Sequence, residues 1–450
     1  MHDVIVTGSG PLGAVVARHC REAGASVLLI EEGGPISEPA GSHVRNAARF
    51  TENPDSYLPA IAPFLSYFNS RAGDSGLPGA CITPAYGGQG VLWTNNCPRP
   101  TPGLELDDQL SAAHWSHLLD AAESYLGVTS NQFDSSVRQR RITECLAGPL
   151  AATGRSILPQ PIAGHVADPT HNRIHWNATV DILGPVEGRI DRRRAKVARL
   201  SIVSTAVTGV ELADGECLHA HAVVVAAGAF GTPMLLHASS IRPAALGRYL
   251  TYHAVLISQV VLDPTFCAAG HGADLVPRLW IPPTAAAEWN TMVLRDVNPL
   301  VPSGPDLHVE ENRLVEIQSF CPVDVREGNA MRIGDDGTVS FDVRLSAADQ
   351  DRLERVLDDQ RQLAGLIGRF RHGCEPQWMT KGFAHVMGSC RMGEDVATSV
   401  VDAHARVHGY ENLFLATVGV LPSRVIVNPT LTGAALAVRT ADAVAALLRG

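Results

Sequence analysis

Apolar residues near the N-terminus of the chain fall into three short, differently spaced runs. Residues 4–6 (VIV) are a β-branched run, residues 14–23 have helical spacing, and residues 27–30 (VLLI) form a second apolar run that ends at Glu31. This order predicts a strand, a helix and a second strand, which is the βαβ unit of a parallel sheet.

The middle of the chain alternates between apolar and polar positions. Residues 197–200 and 207–212 alternate, a turn is indicated at 213–215, and the apolar run 222–228 ends in glycine. This pattern predicts a hairpin that feeds back into the parallel sheet. Residues 110–126 have the spacing of an amphipathic helix, whereas residues 50–84, rich in Pro, Gly, Ser and aromatic residues, are typical of a loop or lid.

From about residue 241 to 345 alternation dominates, as in 312–320 and 339–344, which predicts an antiparallel sheet with one wet face. Ser346 and Asp349 have the spacing of a capping box at the start of a helix. A buried strand at 412–416 and a helix over 431–448 close the chain. The domain that contains the parallel sheet is therefore predicted to be discontinuous, at 1–240 and 385–450, with a sheet domain at 241–384 inserted.

The composition excludes several kinds of partner. Apolar residues make up 45% of the chain and charged residues 18%, which is typical of well-packed domains. A net charge of -10 argues against binding of nucleic acid or of an anionic membrane, and the basic run 192–196 is expected to be a solvated turn. Nine cysteines at scattered spacings predict reduced thiols. The N-terminus has no basic region followed by the apolar core of a signal peptide, and no stretch is expected to span a bilayer. The chain is therefore predicted to be cytoplasmic.

A glycine motif stands where the first strand meets the first helix. Gly8 suits the tight turn, Gly10 lets the backbone touch a pyrophosphate, Gly13 permits close packing of helix on sheet, and the helix N-terminus adds partial positive charge. Glu31 suits a ribose diol and disfavours NADP. These residues alone leave NAD and FAD open.

No metal site is expected from the histidines. His404 and His408 lie in a predicted strand and turn, where their spacing does not place them on one helical face, and His219 and His221 have no neighbouring acid or thiol to complete a ligand set. Hydrolase motifs of the G-x-S-x-G or H-E-x-x-H type do not occur.

A second glycine-rich stretch and the C-terminal run carry a family resemblance. The segments are GSGPLGA at 8–14, YGGQGVLWTNN at 86–96, VVVAAGAFGTPMLL at 223–236, HVMGSCRMG at 385–393 and NPTLTGAALAVRTAD at 428–442. Together they resemble the glucose-methanol-choline family of FAD oxidoreductases, and more narrowly its pyranose oxidase and C-glycoside oxidase branch. The resemblance implies an α/β fold, with a discontinuous Rossmann-like FAD-binding domain and an inserted α+β antiparallel-sheet substrate domain.

The resemblance also implies which residues hold the cofactor. The first glycine loop serves the adenosine half of FAD and the second serves the flavin, with Thr94 at the reactive edge of the ring. The implied cofactor-binding positions are Gly8, Gly10, Gly13, Glu31, Gly87, Gly88, Thr94, Asn95, Val197, Val418, Gly419, Pro429 and Thr430. Thr417-Val-Gly419 departs from the glycine-rich pattern of many members, so its contact to the pyrophosphate requires a different backbone shape.

Two residues are implied in catalysis. Oxidation of an alcohol moves a hydride to flavin N5 and a proton to a base, and histidine, with an ordinary pKa of about 6.5, suits the base. His385 stands at the position of the family's base, and Asn428 at that of its partner. Pro429 biases the backbone of Asn428 to an extended conformation and so helps to aim the amide.

The predicted function is FAD-dependent oxidation of a hydroxyl of a sugar, glycoside or related polyol, with O₂ or another oxidant as electron acceptor. An NAD-dependent alcohol dehydrogenase and a catalytically silent flavin-binding scaffold are the alternatives. Leu92 stands where many members of the branch have a histidine bonded to the flavin, so the FAD is predicted to be non-covalent. The chain is short for that branch, which favours a monomer or homodimer.

Overall fold

Two large sheets, one mainly parallel and one antiparallel, make up the framework of the protein in a computed structural model. The structure describes residues 1–52, 56–68, 76–77, 79–106, 110–267, 274–296, 299–379 and 385–450. The strands within them are β1 (His2–Thr7), β2 (Val27–Glu31), β3 (Ser66–Tyr67), β4 (Cys81–Ile82), β5 (Val128–Thr129), β6 (Leu158–Pro159), β7 (Ile162–Asp168), β8 (Arg173–Trp176), β9 (Asp191–Arg194), β10 (Val197–Val203), β11 (Ala206–Leu212), β12 (Cys217–Val225), β13 (His253–Leu262), β14 (Arg278–Ile281), β15 (Asn290–Leu294), β16 (Leu314–Pro322), β17 (Ala330–Ile333), β18 (Val339–Asp342), β19 (Gly368–Phe370), β20 (Gln377–Trp378) and β21 (Leu413–Leu415). The α-helices are α1 (Pro11–Glu22), α2 (Ala48–Glu52), α3 (Tyr57–Ile61), α4 (Ala112–Leu126), α5 (Val137–Ala151), α6 (Thr179–Leu183), α7 (Gly228–Ala238), α8 (Ala347–Ile367) and α9 (Thr430–Arg449).

The parallel sheet has β1 at its centre, in the order β9, β2, β1, β12, β21. The hairpin of β10 and β11 joins it through the first half of β12, so the prediction of a hairpin returning to a parallel sheet is confirmed. The carboxyl ends of β1, β2 and β12 meet at one edge. In sheets of this kind that edge is where ligands bind.

Three helices, α1, α4 and α9, pack against one another beside this sheet. α9 corrects the expectation that no stretch is long and apolar enough to span a bilayer. Within the described residues it is the one helix that meets that test by length and composition, but about 67% of it is buried inside the protein. A buried core helix passes the same test, so the length and composition of α9 are explained by packing.

The antiparallel sheet runs in the order β19, β13, β16, β15, β14, β6. The expectation of one wet face is wrong for its central strands, because every residue of β14, β15 and β16 is buried. The alternating polar side chains face buried partners instead. Glu316, for example, accepts a hydrogen bond from Arg295, and Ser319 accepts one from Gln360. The alternating polar residues therefore form a polar layer inside the protein and do not indicate a solvent-exposed face.

Other local expectations met mixed outcomes. Ser346 and Asp349 form the predicted capping box at the start of α8. Residues 339–342 form β18, which pairs only with β17 in a separate small sheet. The basic run at 192–196 lies partly in the exposed edge strand β9 and not in a turn. The region 50–84 contains α3, whose Tyr57 and Ile61 are buried; positions 53–55, 69–75 and 78 lie outside the described residues.

The largest hydrophobic cluster contains residues of both sheets. Val4 and Val224 of the parallel sheet belong to the same cluster as Ile257, Met292 and Phe320 of the antiparallel sheet. The division at residues 240 and 385 stays a prediction. The shared core fixes the two sheets against each other, and a large cavity lies between them.

Candidate active site

A cavity of about 1100 Å³ begins at the carboxyl edge of the parallel sheet and extends to the antiparallel sheet. Gly8 and Glu31 line it from the parallel sheet, and Val255 and Phe320 line it from the antiparallel sheet. Single small-ligand pockets usually measure about 300–1,000 Å³. The cavity slightly exceeds that range, so it has room for a large ligand such as a dinucleotide.

Glu31, at the end of β2, is the acidic group of the first glycine loop. Its Oε2 accepts hydrogen bonds from the Ser9 amide (3.0 Å) and hydroxyl (2.8 Å), and its Oε1 accepts one from the Gly33 amide (3.0 Å). Burial raises the pKa of the Glu31 carboxyl despite these bonds. A carboxylate accepts about four hydrogen bonds, so the three donors of this chain leave capacity for a ligand hydroxyl.

The two glycine-rich loops lie against each other. The Gly87 amide donates to the Ser9 hydroxyl (2.7 Å), and a Cβ added to Gly88 would lie 3.3 Å from the Cα of Gly10. Gly87 and Gly88 have φ angles of 101° and 53°, a backbone region that favours glycine. The lack of side chains at these glycines thus allows the two loops to approach closely, and the hydrogen bond to Ser9 holds the second loop on the first.

Beyond these glycines the second loop turns polar. Thr94 lines the cavity, and its Oγ1 accepts a hydrogen bond from Asn96 Nδ2 (3.1 Å), so its own hydroxyl proton is free for another partner. Asn95 also lines the cavity; its amide nitrogen donates to the carbonyls of Ala163 and Asn177, whereas its buried Oδ1 has no partner in the part of the chain that the structure describes.

His385 and Asn428 both line the cavity. His385 packs on the Phe320 ring, with ring centroids 5.0 Å apart, and its Nδ1 lies 3.0 Å from Nδ1 of His253. Burial, and then the neighbouring His253, lower the pKa of His385 well below its ordinary value. Asn428 is 2% exposed, and its buried Oδ1 has no partner among the described residues. A buried amide oxygen without a partner is costly, so a ligand hydrogen-bond donor is expected there.

Glu105 anchors the loop that leads to Asn428. Its Oε1 accepts hydrogen bonds from the amides of Ile426 (2.6 Å) and Val427 (2.8 Å), and Oε2 accepts one from Thr101 (2.6 Å). Burial raises the pKa of the Glu105 carboxyl. Asn428 is therefore carried on main chain whose amides are already satisfied.

Most of the predicted cofactor positions come together at this cavity. Those that line it are Gly8, Gly10, Glu31, Gly88, Thr94, Asn95, Val197, Val418, Pro429 and Thr430. The others, Gly13, Gly87 and Gly419, are not among its lining residues. Gly13 lies against the Gly8 carbonyl, where a Cβ would be 2.1 Å from the oxygen, and the Gly419 amide donates to the Thr417 hydroxyl (3.1 Å).

Val418 and Gly419 lie in a short 3-10 turn. The different backbone shape expected at this departure from the glycine-rich pattern stays a prediction. The 3-10 turn places Val418 on the cavity and directs the Gly419 amide back onto Thr417.

Sequence reasoning missed several residues of the site. Ser9, Glu105 and His253 are buried and make the hydrogen bonds that explain them, yet nothing in the apolar pattern distinguishes them. For Ser9 the available signal is its place between Gly8 and Gly10. The aromatic residues that line the cavity are Tyr57, Tyr67, Trp93, Phe230 and Phe320.

No metal site accompanies these groups in the part of the chain that the structure describes, since no three His, Cys, Asp or Glu side chains are placed to hold an ion.

Comparison with known proteins decides the family. The GMC oxidoreductase family model matches residues 338–437. A C-glycoside 3-oxidase of Arthrobacter globiformis is 30% identical over 98% of this chain and 95% of its own, and a pyranose 2-oxidase of Tricholoma matsutake is 26% identical over 99% and 94%. The chain belongs to the GMC oxidoreductase family. A solved structure of pyridoxine 4-oxidase from Mesorbium loti, 18% identical, shares the fold with a TM-score of 0.65 over 98% of both chains.

As a GMC oxidoreductase, the protein is an FAD-dependent enzyme acting on CH–OH donors. The residues present fit that cofactor. Glu31 retains capacity for a ribose hydroxyl, the N-termini of α1 and α9 turn partial positive charge to the cavity, and a Cβ at Gly10 would meet no protein atom within 4 Å, so that side of the glycine is open. That residues 87–96 hold the flavin half stays a prediction.

Proposed function

We propose that this GMC oxidoreductase oxidises a hydroxyl of a sugar, glycoside or related polyol to a carbonyl, with His385 as the base and Asn428 as its partner. The observation that carries the proposal is the single cavity that joins Glu31 and Gly10 at one end to His385 and Asn428 at the other. The C-glycoside 3-oxidase and pyranose 2-oxidase relatives, aligned over nearly the whole chain, support a carbohydrate substrate.

The walls of the cavity offer both surfaces that a sugar needs. Phe320 supplies an aromatic face for ring C–H groups, and Gln318 supplies an amide beside it. The Gln318 nitrogen donates to Glu316 Oε2 (2.8 Å), which leaves its oxygen to accept from a substrate hydroxyl. Tyr57 and Ile61 of α3 close the cavity on the side of the predicted lid.

The chain's own residues handle the proton. FAD, when bound, supplies the acceptor for the hydride that leaves the carbinol carbon. His385 takes the hydroxyl proton on an unprotonated ring nitrogen, and its lowered pKa keeps it unprotonated in neutral solution. The Asn428 amide fixes the substrate oxygen while the C–O bond becomes a carbonyl. The substrate thus loses one proton and one hydride, and the charge balances.

Non-covalent attachment of the FAD is part of the proposal. Leu92 lines the cavity with an apolar side chain that has no nucleophile. Cys81 lines it too, but burial raises the pKa of its thiol to about 11, so it stays protonated and weakly nucleophilic. Denaturation by acid or heat is expected to release the flavin into solution; flavin retained on the denatured chain would contradict this part of the proposal.

The remaining expectations rest on sequence alone. A monomer or homodimer, a cytoplasmic location and O₂ or another oxidant as electron acceptor stay predictions. Size-exclusion chromatography with light scattering measures the oligomeric state. Addition of oxygen to the reduced enzyme tests whether O₂ is the electron acceptor.

The decisive experiment is anaerobic reduction of the bound flavin by a panel of free sugars, C- and O-glycosides and cyclitols. Members of the panel are expected to bleach the flavin absorbance in the wild-type protein. His385→Ala is expected to slow the bleaching by roughly 10²–10⁴-fold. Asn428→Ala is expected to slow it by a smaller factor. The exposed His117→Ala on α4 is the matched control and should reduce at the wild-type rate.

Three outcomes would overturn the proposal. Reduction of His385→Ala at the wild-type rate would remove its role as base. Absence of reduction by every alcohol would favour a silent flavin-binding scaffold. Purified protein without a flavin spectrum, but active with NAD, would favour a nicotinamide-dependent dehydrogenase.

A further inference from the structure

His253, the first residue of β13, lies directly behind His385. It is 1% exposed and is not among the residues that line the cavity. The two imidazole rings meet edge to face, with centroids 5.0 Å apart and an interplanar angle of 85°. Their Nδ1 atoms are 3.0 Å apart, which is hydrogen-bonding distance.

The other nitrogen of His253 determines where its proton is. His253 Nε2 lies 2.6 Å from the carbonyl oxygen of Val425. A carbonyl oxygen only accepts, so Nε2 must carry the hydrogen. Burial lowers the pKa of His253 to about 4, so the ring is neutral at pH 7 and its Nδ1 has a free lone pair.

The proton in the contact between the two rings therefore belongs to His385. Two unprotonated Nδ1 atoms would repel each other, and His253 has no proton to donate from that position. His385 must carry its hydrogen on Nδ1, and its Nε2 is left with a lone pair. No described protein group bonds to His385 Nε2.

We propose that His253 is a positioning residue that fixes His385 as the Nδ1–H tautomer and so presents Nε2 as the proton acceptor. The inference rests on the proposed role of His385 as base. The chain of contacts runs from the Val425 carbonyl through both nitrogens of His253 to Nδ1 of His385, in the way that an orienting group acts behind a catalytic histidine.

Among the described groups around the two histidines, His253 is the one that can fix the tautomer of His385. Phe320 packs on both rings, at 5.0 Å from His385 and 5.7 Å from His253, and has no polar atom. No described carboxylate is among the groups that shift the pKa of either ring. The Val425 carbonyl is itself held in place, because the next two amides donate to Glu105.

Two substitutions separate the hydrogen bond from the packing. His253→Asn keeps an oxygen near the place of Nδ1 that can accept from His385. His253→Phe keeps a ring of similar size against Phe320 but removes the acceptor. The loss of the Val425 contact is common to both variants, so the difference between them isolates the contact to His385.

The tautomer is measured directly by nitrogen NMR of histidine-labelled holoenzyme, with the His385 signals assigned by their loss in His385→Gln. We expect the Nδ1–H form of His385 in wild type and in His253→Asn, and a mixture with the Nε2–H form in His253→Phe. An Nε2–H form in wild type, or an unchanged Nδ1–H form in His253→Phe, overturns the inference. The wild-type measurement decides even if a variant does not fold.

Kinetics supply the second readout. Under saturating substrate, His253→Phe is expected to slow anaerobic flavin reduction by roughly 10- to 100-fold, with the apparent substrate affinity and flavin content unchanged, because only proton transfer is impaired. His253→Asn should recover most of that rate. Equal losses in both variants would assign the effect to their shared loss of the Val425 contact and overturn the inference.

The tautomer and the base are tested separately. If His385→Gln reduces at the wild-type rate, the proposed function fails, whereas the NMR result on His385 is unaffected. If His385→Gln is slow and His253→Phe is as fast as wild type, the proposed function stands and the positioning role is lost.

Discussion

Ser9, between the first two glycines of the N-terminal loop, joins the two glycine loops through one hydroxyl. That hydroxyl donates to Glu31 and accepts from the Gly87 amide, and the residue has no solvent exposure. The glycine spacing predicted the loop because a tight turn and a close approach require glycine. It did not predict the serine contact, because the partner amide is 78 residues away along the chain.

Ser9→Ala is expected to weaken the site. The substitution leaves the buried Gly87 amide without a partner, which costs about 1–3 kcal/mol. We expect a lower melting temperature and faster loss of FAD on gel filtration. The exposed Ser130→Ala should behave as wild type, and an unchanged Ser9→Ala protein would show that the contact contributes nothing.

His385 also sets an expectation for the pH dependence of the reaction. The base is active when unprotonated, and burial together with His253 lowers the pKa of His385 below the ordinary 6.5. A lowered pKa keeps the base unprotonated to lower pH, so the acid limb of flavin reduction should lie below pH 6.5. The check is the rate of anaerobic flavin reduction at low substrate concentration, which reports on the free enzyme, measured across pH. An acid limb centred at or above pH 6.5 would contradict the expectation.

At the scale of elements, the patterns that depend on neighbours along the chain were predicted well. The βαβ unit, the hairpin of β10 and β11 and the cap of α8 follow from local spacing and turn chemistry. The burial of β16 on both faces could not be predicted the same way. Glu316 and Gln318 alternate like solvent-facing residues, and only their distant partners, such as Arg295, show that they are inside.

The cap of α8 gives a prediction at this scale. Ser346 accepts from the Asp349 amide (3.0 Å), and Asp349 accepts from the Ser346 amide (2.7 Å). Ser346→Ala should destabilise the protein by about 1 kcal/mol, because it removes the side-chain half of this exchange. Denaturant unfolding measures the change, with the exposed Ser135→Ala as control; equal midpoints for the two variants would contradict it.

At the scale of the molecule, buried neutral histidines tie stability to pH. Burial lowers the pKa of His43 to about 3 and that of His253 to about 4. The unfolded chain protonates each near pH 6.5 and the folded chain does not, so their contribution is complete above pH 6.5. It is lost as pH falls from 6.5 towards the folded pKa values, by about 1.4 kcal/mol per histidine and pH unit.

His43→Asn tests this dependence. His43 donates to the Trp93 carbonyl (2.7 Å), so the variant should be less stable than wild type at pH 7.5. The gap should shrink between pH 6.5 and 4, because asparagine does not titrate. Free energies of unfolding at several pH values measure it. His117→Asn, an exposed control, should run parallel to wild type, and a parallel His43→Asn curve would refute the expectation.

The position of Glu105 allows substrate recognition and proton transfer to change independently of each other in this binding site. The main chain from Val425 to Asn428 is anchored by the Glu105 carboxylate, while α3 forms a separate part of the cavity wall. Substitutions in α3 therefore change which molecule fits without disturbing the groups that handle its proton. Divergence to new substrates, in nature or by directed evolution, can proceed along that wall while Glu105 holds the chemistry constant.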